Sequence, residues 1–218
     1  MKSSFAFLFD MDGVLVDSNP FHKIALKQFC RKYGYDLTED ELREKIYGRT
    51  NKDWITNIFG NIGGEKILQY ADEKAILYRN LYSNDIVPVP GIISFLDKLD
   101  KNNIPKAIGT SAQRANVDFT LSKTNMGKYF EVIIDDTTIT HSKPHPEVYL
   151  KAAVAVGVSA SNCIVVEDSL SGVKSGKAAG SKVIGITTTH TREELAEADL
   201  IIDDFTDLDP QKLISSLF

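Results

Sequence analysis

Six short apolar runs recur along the chain, and they constrain its fold more than any other feature. Most of them are followed at once by Asp, Gly, Thr or Ser, as is typical of buried strands in a parallel sheet. Because amphipathic stretches separate the runs, the alternation predicts an α/β fold with helices on both faces of the sheet. The predicted strands are 5–9, 107–109, 132–134, 164–166, 183–186 and 200–202. The predicted helices between them are 92–101, 115–124, 147–156, 172–179 and 192–198.

The segment from about residue 20 to residue 84 breaks this alternation. Apolar residues there recur every three or four positions, first around Phe21, Ala25 and Phe29 and again over 65–82, as on one face of a helix. The pattern of strands resumes only after Val87-Pro88-Val89-Pro90-Gly91. We therefore predict a helical cap, residues 17–87, inserted into a discontinuous α/β core made of residues 1–16 and 88–218.

Composition excludes several classes of function. The chain has 218 residues, a formal net charge of −5 and no long run of one sign, whereas nucleic acid and anionic membranes favour basic patches. Its two cysteines are too few for a disulfide scaffold, and no apolar stretch approaches the roughly 18 residues of a membrane span. We expect a cytoplasmic, monomeric protein that binds neither nucleic acid nor membrane.

The motif Asp10-Met11-Asp12-Gly13 directly follows the first predicted strand. In an open α/β sheet, ligands bind beyond the carboxyl ends of the strands. Two carboxylates held there without water would repel each other unless a cation offset their charge, and Mg²⁺ prefers such oxygen ligands. A lone Asp-x-Asp is more often a solvated turn or a helix cap, so this motif alone does not establish a metal site.

Three later segments follow other predicted strands. Gly109-Thr110-Ser111 offers hydroxyls and backbone amides, Ser142-Lys143-Pro144 a cation, and Glu167-Asp168 two more acids. Taken singly, Thr110 is an ordinary N-cap candidate, Lys143 a surface charge, and the acids another cap. Together they place a hydroxyl, a cation and a second acidic pair at the same edge of the sheet as Asp10.

The order and content of these four segments resemble the haloacid dehalogenase-type phosphohydrolase superfamily. A helical insertion right after the first motif is similar to the β-phosphoglucomutase-like subfamily. The resemblance implies a Rossmann-like core, an inserted all-α cap, a Mg²⁺ cofactor and a small phosphorylated substrate. It extends over essentially the whole chain, and it is far less specific for the substrate than for the superfamily.

The resemblance also implies a role for each core residue. Asp10 would attack phosphorus and form an aspartyl-phosphate, and Asp12 would be the general acid and base. Thr110 and the amide of Ser111 would hold the transferring phosphoryl group, and Lys143 would neutralise its charge. The metal ligands would be Asp10, the backbone carbonyl of Asp12, Glu167 and Asp168.

The predicted cap contains three candidate substrate-binding residues. His22 and Lys74 match positions that line the closed site in the subfamily, and Arg49, within Gly48-Arg49-Thr50, could reach a substrate anion. Their ordinary interpretations are a helix-face histidine, a solvated lysine and a loop residue. They remain the residues on which we expect specificity to depend.

Two departures from the mutase pattern favour hydrolysis. Asn51 stands where the mutase has Arg, and Ala112-Gln113-Arg114 stands where it has Ser-Lys-Asn. Arg49 or Arg114 could replace the missing phosphate ligands. We therefore predict a Mg²⁺-dependent phosphatase of small phosphorylated metabolites, sugar phosphates in particular. The alternatives are a β-phosphoglucomutase, an inorganic pyrophosphatase and a non-enzymatic binding protein.

Overall fold

The computed structural model describes residues 3–47 and 49–218, with residue 43 by its backbone alone. Its six strands are β1 Ala6–Phe9, β2 Lys106–Gly109, β3 Ile133–Ile134, β4 Cys163–Glu167, β5 Lys182–Ile186 and β6 Leu200–Ile202. Its α-helices are α1 Asn19–Lys32, α2 Glu39–Lys45, α3 Asn51–Phe59, α4 Gly64–Tyr82, α5 Ile92–Lys101, α6 Arg114–Thr124, α7 Glu147–Val156, α8 Leu170–Ala178 and α9 Pro210–Leu217. Short 3₁₀ helices cover Met126–Tyr129 and Ala160–Asn162.

All six strands are parallel and form one sheet in the order β3-β2-β1-β4-β5-β6. The order reverses direction between β1 and β4, which creates a topological switch point at the carboxyl ends of these two strands. Ligands of open α/β sheets bind at such points. The sequence-based prediction of a parallel α/β core is confirmed, and its first acidic motif and its last one flank the switch point.

Strand β1 is buried on both faces of the sheet, as a central parallel strand should be. Phe7 and Phe9 point to one face, where their rings lie 5.3 and 6.3 Å from the ring of Phe95 in α5. Ala6 and Leu8 point to the other face and share a hydrophobic cluster with residues of α7 and β4. The two-residue period of the strand thus fixes which side chains meet each helical layer.

Contacts between Cα atoms divide the chain into two compact units. One comprises the described residues up to Asp17 together with Ile86–Phe218, and the other comprises Ser18–Asp85. The second unit contains α1 to α4 and has an interior rich in aromatic rings. Phe29 is its centre, with ring centroids of Trp54, Tyr70 and Phe59 at 5.8, 5.4 and 6.0 Å.

The prediction of a helix over residues 192–198 is wrong. This segment forms turns, with one bond from Leu195 N to Thr191 O at 3.0 Å and then a tighter bond from Ala198 N to Leu195 O at 2.9 Å. The turns end at Asp199, whose backbone N–H donates to Val183 O at 2.8 Å. Pairing with the sheet therefore begins before a helical ladder can extend.

Among the helices of residues 3–47 and 49–218, none combines the length and the apolar composition that a bilayer span needs.

Candidate active site

Asp10 lies at the carboxyl end of β1, where the backbone leaves the sheet. Its N–H donates to Val166 O of β4 at 3.0 Å, so the ladder continues to this residue. The chain then turns at Gly13, whose φ of +77° is easy for glycine alone, and Gly13 N donates to Val16 O at 2.7 Å. The turn holds Asp10 at the switch point and keeps Asp12 next to it.

Lys143 provides the positive charge of the site. Its Nζ lies 3.0 Å from Asp10 Oδ1 and 2.6 Å from Glu167 Oε1, and its side chain is only 7% exposed. Its loop is anchored by Ser175, whose hydroxyl donates to the carbonyl oxygen of His145 at 2.8 Å. Burial disfavours the lysine charge, but the carboxylates of Asp10 and Glu167 outweigh burial and raise the pKa of Lys143. The lysine is therefore charged at any physiological pH.

Glu167 ends β4 and is completely buried. Its Oε1 accepts from Lys143 Nζ at 2.6 Å and from Tyr149 Oη at 2.7 Å. Its Oε2 accepts from the backbone N–H groups of Asp168 and Ser169 at 3.1 and 3.2 Å and from Ser169 Oγ at 3.0 Å. Five donors occupy a carboxylate that has about four lone-pair positions. Glu167 is thus engaged by its neighbours on both oxygens.

Asp168 is the second acid at the end of β4. It is 3% exposed, and its Oδ2 accepts from the Thr189 hydroxyl at 2.5 Å. Donor atoms of Asp10, Glu167 and Asp168 all lie within 4.8 Å of one another. Burial, and then the charges of Glu167 and Asp10, raise the pKa of Asp168 well above its ordinary range.

The pKa of Asp10 is shifted in the same direction as that of Asp168. Burial raises its pKa from 3.8 to about 7, with Glu167 and Asp12 adding to the effect and Lys143 opposing it. The half-buried Asp10 and the buried Glu167 and Asp168 thus share the charge of Lys143, and the excess negative charge is unfavourable without a further cation. The donor set is carboxylate oxygen, which suits a hard divalent ion such as Mg²⁺.

Thr110 and Ser111 follow β2 beside this cluster of acids. Thr110 is buried, its N–H donates to Ile134 O at 2.9 Å, and its hydroxyl accepts from Ala112 N at 3.1 Å. A hydroxyl that accepts one bond can still donate its own hydrogen. Ser111 is exposed. The backbone N–H of Thr110 is used by the sheet, so an anion here would depend on the hydroxyl and on later amides.

His22 and Lys74 meet inside the unit of residues 18–85. Lys74 Nζ lies 2.8 Å from His22 Nδ1, and a charged lysine in that contact must donate to an unprotonated nitrogen. The imidazole stacks on Tyr78 with centroids 3.7 Å apart and planes 6° apart. Both side chains are half-buried, so the structure joins these two predicted residues in one small cluster.

The other candidates for anion binding have partners within their own units. Arg49 is exposed and donates through Nε and Nη2 to Glu44 O at 3.2 and 2.7 Å. Asn51 Oδ1 accepts from Trp54 Nε1 at 3.0 Å. Gly48, named with Arg49 in the sequence motif, lies outside the described residues.

Arg114 and Gln113 begin helix α6. Arg114 pairs with Asp118 at 2.9 Å and with the buried Asp135 at 3.4 Å, and Gln113 is the N-cap of the helix. The guanidinium therefore has two carboxylate partners within its own unit.

Sequence reasoning missed the residues that support Glu167 and Asp168. Tyr149 reads as an ordinary apolar position of α7, and Thr189 as part of a loop. Gly172 was not singled out, yet a Cβ there would lie 1.8 Å from the Glu167 carboxyl carbon. A Cβ on Gly109 would lie 3.1 Å from the Tyr149 ring. These glycines make room for the buried Tyr149 and Glu167. In the sequence, the only signal of this role is that each glycine lies in or near one of the polar motifs.

The fold and the acid–lysine cluster define an enzyme of the phosphohydrolase and phosphotransferase class, and comparison with known proteins gives the family. The sequence profile described as Haloacid dehalogenase-like hydrolase matches residues 7–186. The chain belongs to that family, within its β-phosphoglucomutase-like subfamily.

Three similar proteins illustrate the relationship. Hexitol phosphatase A of Escherichia coli (strain K12) is 34% identical over 198 residues, which cover 90% of this chain and 89% of the relative. A HAD hydrolase of family IA, variant 3, from Entamoeba histolytica HM-1:IMSS superposes with a TM-score of 0.90 at 36% identity, covering 100% of this chain and 99% of that one. The β-phosphoglucomutase of Clostridium difficile superposes with a TM-score of 0.82 at 30% identity, covering 100% and 97%.

Proposed function

We propose that this protein is a Mg²⁺-dependent phosphatase of small phosphorylated metabolites, with sugar and polyol phosphates as the main class. The observation that carries the proposal is the position of Asp10. Its carboxylate lies 3.0 Å from the ammonium of Lys143 at the switch point of the sheet, among acids whose net charge calls for a cation.

The metal would be held by Asp10, by Asp168 and by the backbone carbonyl of Asp12. This assignment is supported by the carboxylates of Asp10 and Asp168, whose pKa values are raised by burial and by the charges of neighbouring acids. Glu167 lies in the same group, but its five donors favour a different role, that of positioning Lys143. When bound, Mg²⁺ would neutralise charge on the phosphoryl oxygens.

The chain's own residues would carry out the two displacements. A carboxylate oxygen of Asp10 attacks phosphorus, the bond to the leaving oxygen breaks, and Asp12 gives that oxygen its proton. In the second half, a water oxygen attacks the same phosphorus, Asp12 takes a proton from the water, and the bond to Asp10 breaks. Lys143 and the Thr110 hydroxyl would stabilise the charge that develops on the phosphoryl oxygens.

Hydrolysis is favoured over mutase chemistry by the arginines and by Asn51. A mutase must hold a second phosphate, whereas Arg49 donates to a backbone carbonyl and Arg114 pairs with two aspartates. The Asn51 side chain accepts from the Trp54 ring within α3. The similarity to hexitol phosphatase A supports a polyol or sugar phosphate as the substrate.

A substrate screen tests the proposal. Phosphate release would be measured with Mg²⁺ on hexitol phosphates, hexose 6-phosphates, β-glucose 1-phosphate and pyrophosphate, with Asp10→Asn as the inactive control. We expect release from polyol or hexose phosphates that exceeds release from pyrophosphate. Conversion of β-glucose 1-phosphate to glucose 6-phosphate, primed by the bisphosphate and without net phosphate release, would instead identify a mutase. Binding without turnover of any of these compounds would contradict the proposal.

A further inference from the structure

A second group of metal-ligating side chains lies on the loop that carries Lys143. It consists of His141, His145 and Glu147, and one donor atom from each lies within 4.8 Å of the others. Both histidines are exposed, and Glu147, the first residue of α7, is half-buried. None of these three residues takes part in the proposed phosphatase chemistry.

The group is already assembled by contacts within the loop. His141 Nδ1 lies 3.0 Å from Glu147 Oε2, and the two imidazole rings stack with centroids 4.4 Å apart. Glu147 also closes the loop, because its two oxygens accept from the backbone N–H groups of Thr140 at 3.0 Å and His141 at 2.8 Å. The ligands therefore do not have to be gathered from an unstructured segment.

The chemistry of this group differs from that of the acid cluster around Asp10. Two imidazoles and one carboxylate suit borderline ions such as Zn²⁺, Ni²⁺ or Cu²⁺, whereas a cluster of carboxylates suits Mg²⁺. The distance of 3.0 Å between His141 Nδ1 and Glu147 Oε2 is close to the edge of a zinc tetrahedron, which is about 3.3 Å for bonds of about 2.0 Å.

Glu147 is suited to be the anionic ligand. Hydrogen bonds from Lys151 and from the Thr140 backbone, and then those from His141, lower its pKa to about 2. It therefore carries its charge at every pH at which the histidines could be unprotonated. The competing cation is Lys151, whose Nζ lies 2.6 Å from Oε1 of Glu147. An ion on Oε2 would leave this pair in place.

Binding would need two local changes. His141 Nδ1 donates its ring hydrogen to Glu147 Oε2, because a carboxylate only accepts, so that hydrogen would have to move to Nε2 before Nδ1 could bind an ion. His145 Nδ1 accepts from the backbone N–H of Glu147 at 3.3 Å, so its other ring nitrogen would turn toward the ion. Because His145 is exposed, that rotation displaces no core side chain. The remaining coordination positions would be taken by water, as in zinc sites with three protein ligands.

We propose that His141, His145 and Glu147 form a second metal site, selective for a borderline transition ion such as Zn²⁺ and separate from the Mg²⁺ site. Its two histidines flank Lys143 in sequence, so a bound ion would bridge the two ends of the short loop that carries this lysine.

Zinc binding to the tag-free full chain tests the site. Equilibrium dialysis with Zn²⁺ would be run in a large excess of Mg²⁺, so that the carboxylate cluster is occupied by the hard ion. We expect one Zn²⁺ per chain, and His141→Ala or His145→Ala should each weaken its binding at least about tenfold. Circular dichroism would establish that each variant keeps the fold.

His190→Ala is the matched control. His190 Nδ1 lies 3.2 Å from Glu194 Oε2, which is the same kind of pair as His141 with Glu147, but no second histidine belongs to a metal-ligating group with it among the described residues. This variant should bind Zn²⁺ like the unaltered chain. Equal binding by all variants, or no stoichiometric Zn²⁺ in the unaltered chain, would overturn the proposal. The measurement requires no turnover, so its outcome is independent of the phosphatase assignment.

Discussion

The two units of the chain hold their polar candidate residues in different ways. In the α/β unit, Lys143 is 7% exposed between two carboxylates, and Glu167 is completely buried with five donors. In the unit of residues 18–85, His22 and Lys74 are half-buried and share a hydrogen bond of 2.8 Å, and Arg49 is exposed.

The buried charges of the α/β unit are therefore held in fixed pairs, whereas the polar side chains of residues 18–85 can change partners. A buried ion pair is strongly destabilised when one partner is removed, because the remaining charge stays desolvated. Lys74 and His22 are only half-buried, so water can solvate either group when their contact is exchanged for a ligand. We therefore expect changes in the α/β unit to affect turnover of every substrate, and changes in the helical unit to affect the choice between substrates.

The largest effect should come from Asp10→Asn. The change keeps the shape of the side chain and removes the nucleophile, so turnover of sugar phosphates and of small aryl phosphates should both fall by at least about a thousandfold. Steady-state kinetics on both substrate types, with circular dichroism as the fold control, measures this. Near-normal activity on either type would contradict the role of Asp10 and the contrast between the units.

The next effect should come from Tyr149→Phe. It removes the 2.7 Å bond from the hydroxyl to Glu167 and so loosens the carboxylate that positions Lys143. We expect kcat to fall about tenfold with little change in KM, together with a loss of about 1–3 kcal/mol in the free energy of unfolding.

Tyr129→Phe is the matched control for that experiment. The Tyr129 hydroxyl also donates to a carboxylate, Asp97 Oδ1, at 2.7 Å, but away from Lys143. It should lower stability without lowering kcat. Equal losses of kcat in both variants would show that Tyr149 acts only through stability.

Smaller and more selective effects should follow from Lys74→Ala and His22→Ala. We expect kcat/KM to fall about tenfold for sugar or polyol phosphates and to change less than about twofold for p-nitrophenyl phosphate, because loss of one polar substrate contact costs about 1–2 kcal/mol. Lys66→Ala is the control, since Lys66 is an exposed lysine of the same helix. If both substrate types lost activity equally, the helical unit would not set specificity.

The last effect concerns the stability of the metal-free protein rather than its turnover. Burial, Glu167 and Asp12 raise the Asp10 pKa from 3.8 to about 7 against the opposing charge of Lys143, so the folded state keeps a proton that the unfolded state releases near pH 4. Stability in a chelator should therefore fall as pH rises from about 4 to about 7 and then level off. In thermal unfolding measured across this pH range, Asp10→Asn should show a weaker decrease of stability with pH than the unaltered chain. An identical pH dependence in both proteins would argue against a raised pKa of Asp10.

The amino-acid sequence by itself determined the layers of the fold and the residue types of the site. Apolar runs bounded by polar residues are local signals, and the predicted strands agree with β1 to β6 to within about a residue at each end. The prediction 164–166 is one residue short at each end of β4. At the carboxyl end the added residue is Glu167, which pairs in register with Gly185 of β5, and an acid is not expected in a strand from its propensity alone.

Only the tertiary structure decided which residues meet and what that does to their charges. The sheet order brings Lys143, from the segment between β3 and β4, to 3.0 Å from Asp10 after β1. The bond from Tyr149 to Glu167 joins a helix to a strand and leaves no local pattern. The pKa of Asp10 depends on burial and on the charges of Lys143, Glu167 and Asp12, of which the first two are far from it in sequence. Sequence patterns report interactions between near neighbours, whereas desolvation and Coulomb energies depend on distances that exist only in the folded chain.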